Sequence, residues 1–213
     1  MSNRAYGQYC GFSRALEVVG ERWALLIVRD LLISPKRFSD LHRGLPGIPT
    51  NVLTTRLGEL EDAGIVARRA LPRPERGTVY ELTEYGNQLE TVVMDLGRWG
   101  AKSLGDPRPD ETITSDSIQT AMRTTFQPAA ARGVKVNYEL RMGPVVIHAR
   151  VERGKLVTGS GPLEDPDLVI ESGPALRGLM AREITPAEAI KNGSVKITGD
   201  RRFLNQFIEL FRI

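Results

Sequence analysis

At 213 residues, with 41% apolar and 26% charged side chains, the chain holds enough hydrophobic material for one large or two small globular domains. A single cysteine, Cys10, excludes an intramolecular disulfide framework; with only His42 and His148 beside it, a Cys/His metal site lacks ligands, and no cofactor is expected. The net charge of +3 is a small surplus shared by both halves, so a nucleic-acid signal has to come from where the charges sit.

The N-terminus lacks the apolar segment of a signal peptide, and no apolar run reaches membrane-spanning length. A cytoplasmic protein with no membrane partner is expected. Residues 10–19 set Phe12, Ala15, Leu16 and Val19 at helical spacing, with Gly20 as the C′ stop. Residues 23–33 are apolar almost all round, which predicts a buried helix that Ser34-Pro35 ends.

A short helix is predicted over residues 38–45, with Phe38, Leu41 and Leu45 inside and Ser39, Asp40 and Arg43 outside. Pro46-Gly47-Ile48-Pro49 makes the turn. A second helix starts at Thr50, read as its N-cap, carries the stripe Val52, Leu53, Leu57 and Leu60, and closes at Gly64. Its outward positions Thr50, Asn51, Thr54 and Thr55 are short and polar: Asn pairs with adenine edges, and Thr reaches phosphate or a thymine methyl. Glu59, Glu61 and Asp62 are held back to the far end. A hairpin follows over residues 65–71 and 78–82, and Arg73 and Arg76 in its Pro- and Gly-containing connection are placed to reach phosphate or the minor groove. This order is that of a winged helix-turn-helix, with one helix for the major groove and a basic hairpin beside it.

From Thr83 a single long helix is predicted, with Tyr85, Leu89, Val92, Val93, Leu96 and Trp99 on its apolar face. That stripe exceeds what so small a domain needs, and a second copy is its expected partner.

Motifs in register over about residues 9–104 carry a resemblance. They are Cys10-Gly11-Phe12, Gly20-Glu21-Arg22-Trp23, Leu25-Leu26-Ile27-Val28-Arg29-Asp30-Leu31, Arg37-Phe38-Ser39-Asp40-Leu41, Leu53-Thr54-Thr55-Arg56-Leu57 and Tyr80-Glu81-Leu82-Thr83. The segment resembles the HxlR-type, MarR-related winged helix-turn-helix regulators. The resemblance implies a dimeric transcription factor whose first and last domain helices form the dimer. The expected DNA-binding set is Arg37, Ser39, Thr50, Asn51, Thr54, Thr55, Arg56, Arg73 and Arg76. The expected dimer set is Phe12, Leu16, Leu89, Val93, Leu96 and Trp99. In some members a cysteine near the start senses oxidants or electrophiles. Cys10 holds that position, at a predicted helix N-terminus with Arg14 one turn on, although Gly11 replaces the usual proline. The bland alternative is an inert free thiol.

Residues 106–111 read as a linker between a DNA-binding and dimerisation domain over 1–105 and a second domain over 112–213. An amphipathic helix bears Ile118, Ala121, Met122, Thr125 and Phe126. Strict alternation then predicts strands over residues 134–142 and 145–151, with shorter ones at 156–158, 168–170 and 195–197. Helices are predicted over residues 174–181, 186–191 and 202–211. The expected fold is α+β: a winged helix-turn-helix followed by an antiparallel sheet with one wet face, covered on the other by helices.

Asp167-Leu168-Val169-Ile170, Ala175-Leu176-Arg177-Gly178-Leu179-Met180, Thr185-Pro186-Ala187-Glu188-Ala189-Ile190 and Gly193-Ser194-Val195-Lys196-Ile197-Thr198-Gly199-Asp200 look like the sterol carrier protein type two fold. That resemblance implies a cavity for a hydrophobic molecule, with Met122, Phe126, Tyr138, Leu140, Ile147, Leu179, Met180, Phe203 and Phe207 as its candidate lining. Periodicity alone leaves open a core filled by the same residues. No nucleophile elbow, P-loop or dinucleotide fingerprint stands out, so no enzyme is expected. The leading expectation is a dimeric repressor that binds an inverted-repeat operator in double-stranded DNA and responds to a hydrophobic effector. The alternative is a ligand carrier or scaffold whose winged helix mediates protein contacts.

Overall fold

The computed structural model describes residues 5–105 and 107–213. The chain divides into two compact units between Val93 and Met94. In the first, α1 (Gly11–Val19) and α2 (Ala24–Ile33) precede α3 (Phe38–Gly44), α4 (Thr50–Asp62), the hairpin β1 (Val66–Ala70) and β2 (Thr78–Leu82), and α5 (Glu84–Asn87). The helix α6 (Glu90–Ala101) contains the division.

The core of the first unit is the set the apolar stripes select. Ile27, Val28 and Leu31 of α2 are buried with Leu41, Leu45 and Ile48, and with Leu53, Leu57 and Leu60 of α4. Each such side chain contributes about 1.5–3 kcal/mol when taken fully out of water. α2 is not buried all round, because Leu26 is exposed and Leu25, Leu32 and Ile33 are half-buried. α1 departs further: Ser13 is its buried residue, whereas Phe12 and Ala15 are exposed. Gly20 stops α1 as a right-handed C-cap at φ −75°, and glycine fits there by close approach, since a Cβ would lie 2.5 Å from the Leu16 carbonyl oxygen.

α4 begins one residue earlier in its cap than the sequence predicts. Pro49 is the N-cap and Thr50 already helical, because Pro49 holds extended backbone at ψ 144°. Its far end is a Schellman motif: Gly64 at φ +70° donates to the Glu61 carbonyl and Ile65 to that of Leu60.

The predicted single helix from Thr83 is two helices. Thr83 is the N-cap, accepting from the Gly86 N–H at 3.0 Å. Gln88 and Leu89 then donate three residues back, to Tyr85 and Gly86, which tightens the chain and ends α5. Gly86 is buried against the Ile65 carbonyl, where a Cβ would sit 2.1 Å from the oxygen.

Of the predicted linker, Asp106 lies outside the described residues, and residues 107–111 are exposed coil and turn. The second unit holds α7 (Ser115–Thr125), β3 (Lys135–Met142), β4 (Val145–Glu152), β5 (Lys155–Ser160), β6 (Leu168–Ser172), α8 (Ala175–Met180), α9 (Pro186–Lys191), β7 (Val195–Gly199) and α10 (Arg202–Leu210). The sheet order is β5-β4-β3-β6-β7. It is not wholly antiparallel: β3 and β6 pair in parallel, Tyr138 opposite Leu168. The reason is the connection over residues 161–167, which returns from the β5 edge past two strands instead of turning back. Its Leu163 N–H donates to the Glu139 carboxylate at 2.8 Å, and Glu139 is buried although it alternates onto the face expected to be wet.

α7 turns its predicted Met122 and Thr125 inward, with Ile118 and Phe126 packed against the core, but it buries a wider face than predicted. Asp116, Gln119, Thr120, Met122, Thr124 and Thr125 are buried, while Ala121 is exposed. Among the described residues, no helix is long and apolar enough to cross a membrane.

Candidate nucleic-acid interface

α3, the turn and α4 stand as a helix-turn-helix because Leu41, Leu45 and Ile48 pin the turn and Leu53, Leu57 and Leu60 pin the second helix. Burying that side of α4 leaves Thr50, Asn51, Thr54 and Thr55 exposed over its first two turns. The hydroxyls are held: Thr54 donates to the Thr50 carbonyl and Thr55 to the Asn51 carbonyl, each at 2.9 Å. Their lone pairs and methyl groups then face outward, with the hydroxyl protons engaged. The Asn51 side chain is exposed, with two donors and an acceptor to offer. The four side chains therefore make a short polar row backed by the N-terminal N–H groups of a thirteen-residue helix.

The hairpin arginines fall into two classes. Arg68 makes a two-nitrogen contact to the Glu61 carboxylate at 2.9 and 2.7 Å, and its guanidinium lies 5.5 Å from the Tyr80 ring centre. Arg69 bonds Glu81 at 2.7 Å. Both are neutralised in place. Arg73 and Arg76 sit in the exposed connection, and among the described residues neither forms an ion pair. The connection is fixed at its base by the Leu71 N–H donating to the Gly77 carbonyl at 2.8 Å.

Arg37 and Arg56 both have partners within the unit. Arg37, half-buried, donates from its guanidinium to the Arg76 carbonyl at 2.9 Å and so holds the wing connection. Gly77 fits beside it because a Cβ there would be 2.5 Å from the Arg37 guanidinium. Arg56 is only 13% exposed, bonded to Glu21 at 3.0 Å and also to Glu59. Its charge is neutralised inside the unit, since residues three apart on a helix share a face and the face that Arg56 shares with Glu59 is the one turned to Glu21. Ser39 is exposed at the start of α3.

Two residues with structural weight carry no signal of their own in the sequence. Lys36 adds a bridge to the wing, exchanging backbone hydrogen bonds with Tyr80 at 2.9 and 2.7 Å. Glu21 closes the pair with Arg56 from 35 residues away, and only its place in the Gly20-Glu21-Arg22-Trp23 motif marks it.

Cys10 is the N-cap of α1 and is exposed. Its pKa is lowered, first by the Ser13 backbone N–H and then by that of Phe12, so the free N–H groups of the first turn stabilise the thiolate. Arg14, expected to help, is instead paired with Glu17 at 2.8 Å. Of the expected dimer residues, Phe12 is 73% exposed, Leu96 48% and Trp99 71%; Leu16 and Leu89 are half-buried, and Val93 is buried. Tyr9 is fully exposed.

The nine residues predicted to line a cavity in the second unit belong to one hydrophobic cluster, with Phe126 and Phe203 at its margin. Tyr138 meets Phe207 edge-on at 5.2 Å, Phe207 packs on Phe211 at 4.7 Å, and Phe126 on Phe211 at 5.8 Å. The Tyr138 hydroxyl donates to the Phe203 carbonyl at 3.1 Å, and burial holds its pKa well above the usual phenol value. Among the described residues no group of three His, Cys, Asp or Glu side chains is arranged to hold a metal. His148 on β4 bonds the Gly161 carbonyl at 3.1 Å.

A family model described as an HxlR-like helix-turn-helix matches residues 18–107. An uncharacterized HTH-type transcriptional regulator of Mycobacterium tuberculosis is 40% identical over 110 residues, which is 52% of this chain and 66% of that protein. This chain thus spans just under two thirds of that relative. The HTH-type transcriptional regulator YodB of Bacillus subtilis is 38% identical over 102 residues, 48% of this chain and 88% of its own. YvaP, an uncharacterized HTH-type transcriptional regulator of the same species, is 34% identical over 96 residues, 45% and 88%. Among solved structures, the redox regulator HypR in its oxidized form is 34% identical with a TM-score of 0.42, over 46% of this chain and 100% of HypR.

Proposed function

Since the chain belongs to the HxlR-like helix-turn-helix family, we propose that it is a sequence-specific DNA-binding transcriptional regulator. In this reading it represses, as a two-fold dimer on an inverted repeat. The observation that carries the reading is the exposed row Thr50, Asn51, Thr54 and Thr55 on α4, with Arg73 and Arg76, unpaired among the described residues, in the wing of the same unit. The row reads base edges and the wing arginines neutralise phosphate. Ser39 and Arg37 stand near phosphate at the start of α3, and Arg56 supports the helix from behind.

The test is a salt series of gel shifts against DNA upstream of the chain's own coding sequence, with scrambled DNA as control. Binding to upstream DNA tighter by about a thousandfold or more than to scrambled DNA is expected, with affinity falling as salt rises. Equal affinity for both would leave a non-specific binder.

The domains in this reading are 1–105 for DNA binding and dimerisation, a short linker, and a sterol-carrier-like domain over 112–213. The motifs over residues 167–200 support the likeness, whereas the packed rings of the second unit support a structural role. Mass spectrometry of the natively purified protein decides between these, since a retained hydrophobic molecule is expected only for the sensing role. Cys10 is the second sensor candidate, supported by its exposure and the N–H groups that favour its thiolate. The protein acts in the cytoplasm.

A further inference from the structure

The second unit carries a basic hairpin at the edge of its sheet. β4 and β5 are joined by two residues, Arg153 at φ +53° and Gly154 at φ +74°. Left-handed backbone at both positions gives the turn that matches the twist of a hairpin, and Asn-Gly or Asp-Gly makes it with least strain. Arginine gains nothing there by local bonding, since its exposed side chain forms no hydrogen bond or ion pair among the described residues. A long cation kept in left-handed backbone with no partner inside the chain points to a partner outside it.

The strand register gathers more charge beside the turn. Val136 and Val151 are buried on the inner face. On the outer face Lys155, Glu152 and Lys135 stand in one row across β5, β4 and β3, and Val157, Arg150 and Asn137 form the next. Glu152 is paired with Lys135 at 3.6 Å, whereas Arg150 and Lys155 are exposed and, among the described residues, without an ion pair. The acidic crossover does not offset them. Its Leu163 N–H is bonded to Glu139 and its Asp167 carboxylate to the Asn137 N–H, both on β3, so Glu164, Asp165 and Asp167 lie toward β3 and β6. The corner at β4 and β5 is left to Arg150, Arg153 and Lys155.

We propose that this hairpin is a second, sequence-independent contact to the phosphates of duplex DNA, with Arg150, Arg153 and Lys155 as its cations. The inference rests on the DNA-binding reading and extends it to the second unit. Phosphate contacts need charge and reach without a fixed base geometry, which is what these three side chains offer. Val157 is the one large apolar side chain exposed on these strands, too little to enter a lipid surface. The first unit holds the same duplex in that reading, so the joined hairpin meets it at a high effective concentration and weak single contacts suffice.

The test is fluorescence anisotropy of the full chain with a long random-sequence duplex across a salt series. Arg150→Gln, Arg153→Asn and Lys155→Gln are combined; Asn suits the turn, so the variant is expected to keep its circular dichroism and unfolding midpoint. The slope of log affinity against log salt is expected to fall by about two to three units, and by about one for Arg153→Asn alone. An unchanged slope in the triple variant overturns the inference; a slope lowered at the same time by Arg73→Ala leaves the DNA-binding reading standing. Absence of duplex binding by the wild-type chain overturns both. A triple variant that keeps the DNA slope but loses binding to phosphatidylserine-containing vesicles assigns the hairpin to a membrane and also overturns the inference. A lowered slope in a chain with no preference for upstream over scrambled DNA supports the hairpin contact and removes only the sequence-specific reading.

Discussion

Four arginines in or beside the wing look alike in the sequence, and their pairing separates them. Arg68 and Arg69 are neutralised by Glu61 and Glu81, leaving Arg73 and Arg76 for an external anion. Arg73→Ala or Arg76→Ala should weaken binding to every DNA and lower the salt slope by about one unit for each phosphate that is no longer neutralised. Arg68→Ala should leave that slope unchanged. Asn51→Ala should instead change sequence preference, at a cost of about 1–3 kcal/mol at one base pair, read by competition with single-base variants of the operator. Uniform weakening on all sequences from Asn51→Ala would put the base-reading surface elsewhere. Cys10 makes a pH-dependent case. Its thiol pKa is lowered by the Ser13 and Phe12 N–H groups, so the reactive thiolate persists to lower pH than in a free cysteine. The iodoacetamide rate against pH should show its midpoint below that of a short Cys10 peptide, and coincident profiles would remove the N-cap effect. Residue type and motif position make these side chains visible as candidates. Which of them are already neutralised is not legible in the sequence, because Arg68 meets a carboxylate seven residues away on another element.

Elements whose hydrophobic period is closed locally are legible in the sequence within a residue or so. α3, α4, both wing strands and α9 are of this kind, each flanked by its own Pro, Gly or Thr signals, and α10 follows from its apolar stripe alone. The departures are tertiary in origin. Thr83–Ala101 keeps one apolar stripe across a break at Gln88 and Leu89, and the short first helix sits with Gly86 close against the Ile65 carbonyl, 21 positions earlier. Gly86→Ala should therefore destabilise the first unit by about 1–3 kcal/mol despite alanine's better helix propensity, measured by urea unfolding. An unchanged or raised midpoint would mean that α5 moves away freely. The buried face of α7 is wider than the predicted stripe because it also takes in Asp116, Gln119, Thr120 and Thr124, residues that a hydrophobic stripe ignores. The parallel pairing of β6 with β3 is hidden for a related reason, since alternation fixes which face a residue takes but not which neighbour its strand chooses.

Large apolar side chains stand exposed in each unit: Tyr9, Phe12, Val18 and Val92 in the first, and Leu96 and Trp99 in the second. A dimer that covers such residues matches the two half-sites of an inverted repeat, with centres about ten base pairs or a multiple apart. Sedimentation at micromolar concentration should give a dimer, and Trp99→Asp or Phe12→Asp should shift it to monomer and weaken operator binding in parallel. A wild-type monomer that still binds operator tightly would sink the two-fold reading. The candidate cavity is legible only as a set of apolar residues, since a lined space and a filled one share the same pattern; the observed ring-on-ring packing of Tyr138, Phe207 and Phe211 is a three-dimensional fact.

The strand-crossing connection over residues 161–167 has a kinetic consequence. A loop without regular structure ordinarily exchanges its amide hydrogens with solvent almost at once. Here the Leu163 N–H is tied to a buried carboxylate and the Asp167 N–H to the Asn137 carbonyl at 2.9 Å. Both amides should exchange as slowly as those of the central strands, so that in a deuterium time course this loop behaves as sheet. Its neighbours Glu164 and Asp165, exposed and without a comparable tie among the described residues, should exchange at the rate of an open chain, which dates any loosening of the crossover from one residue to the next.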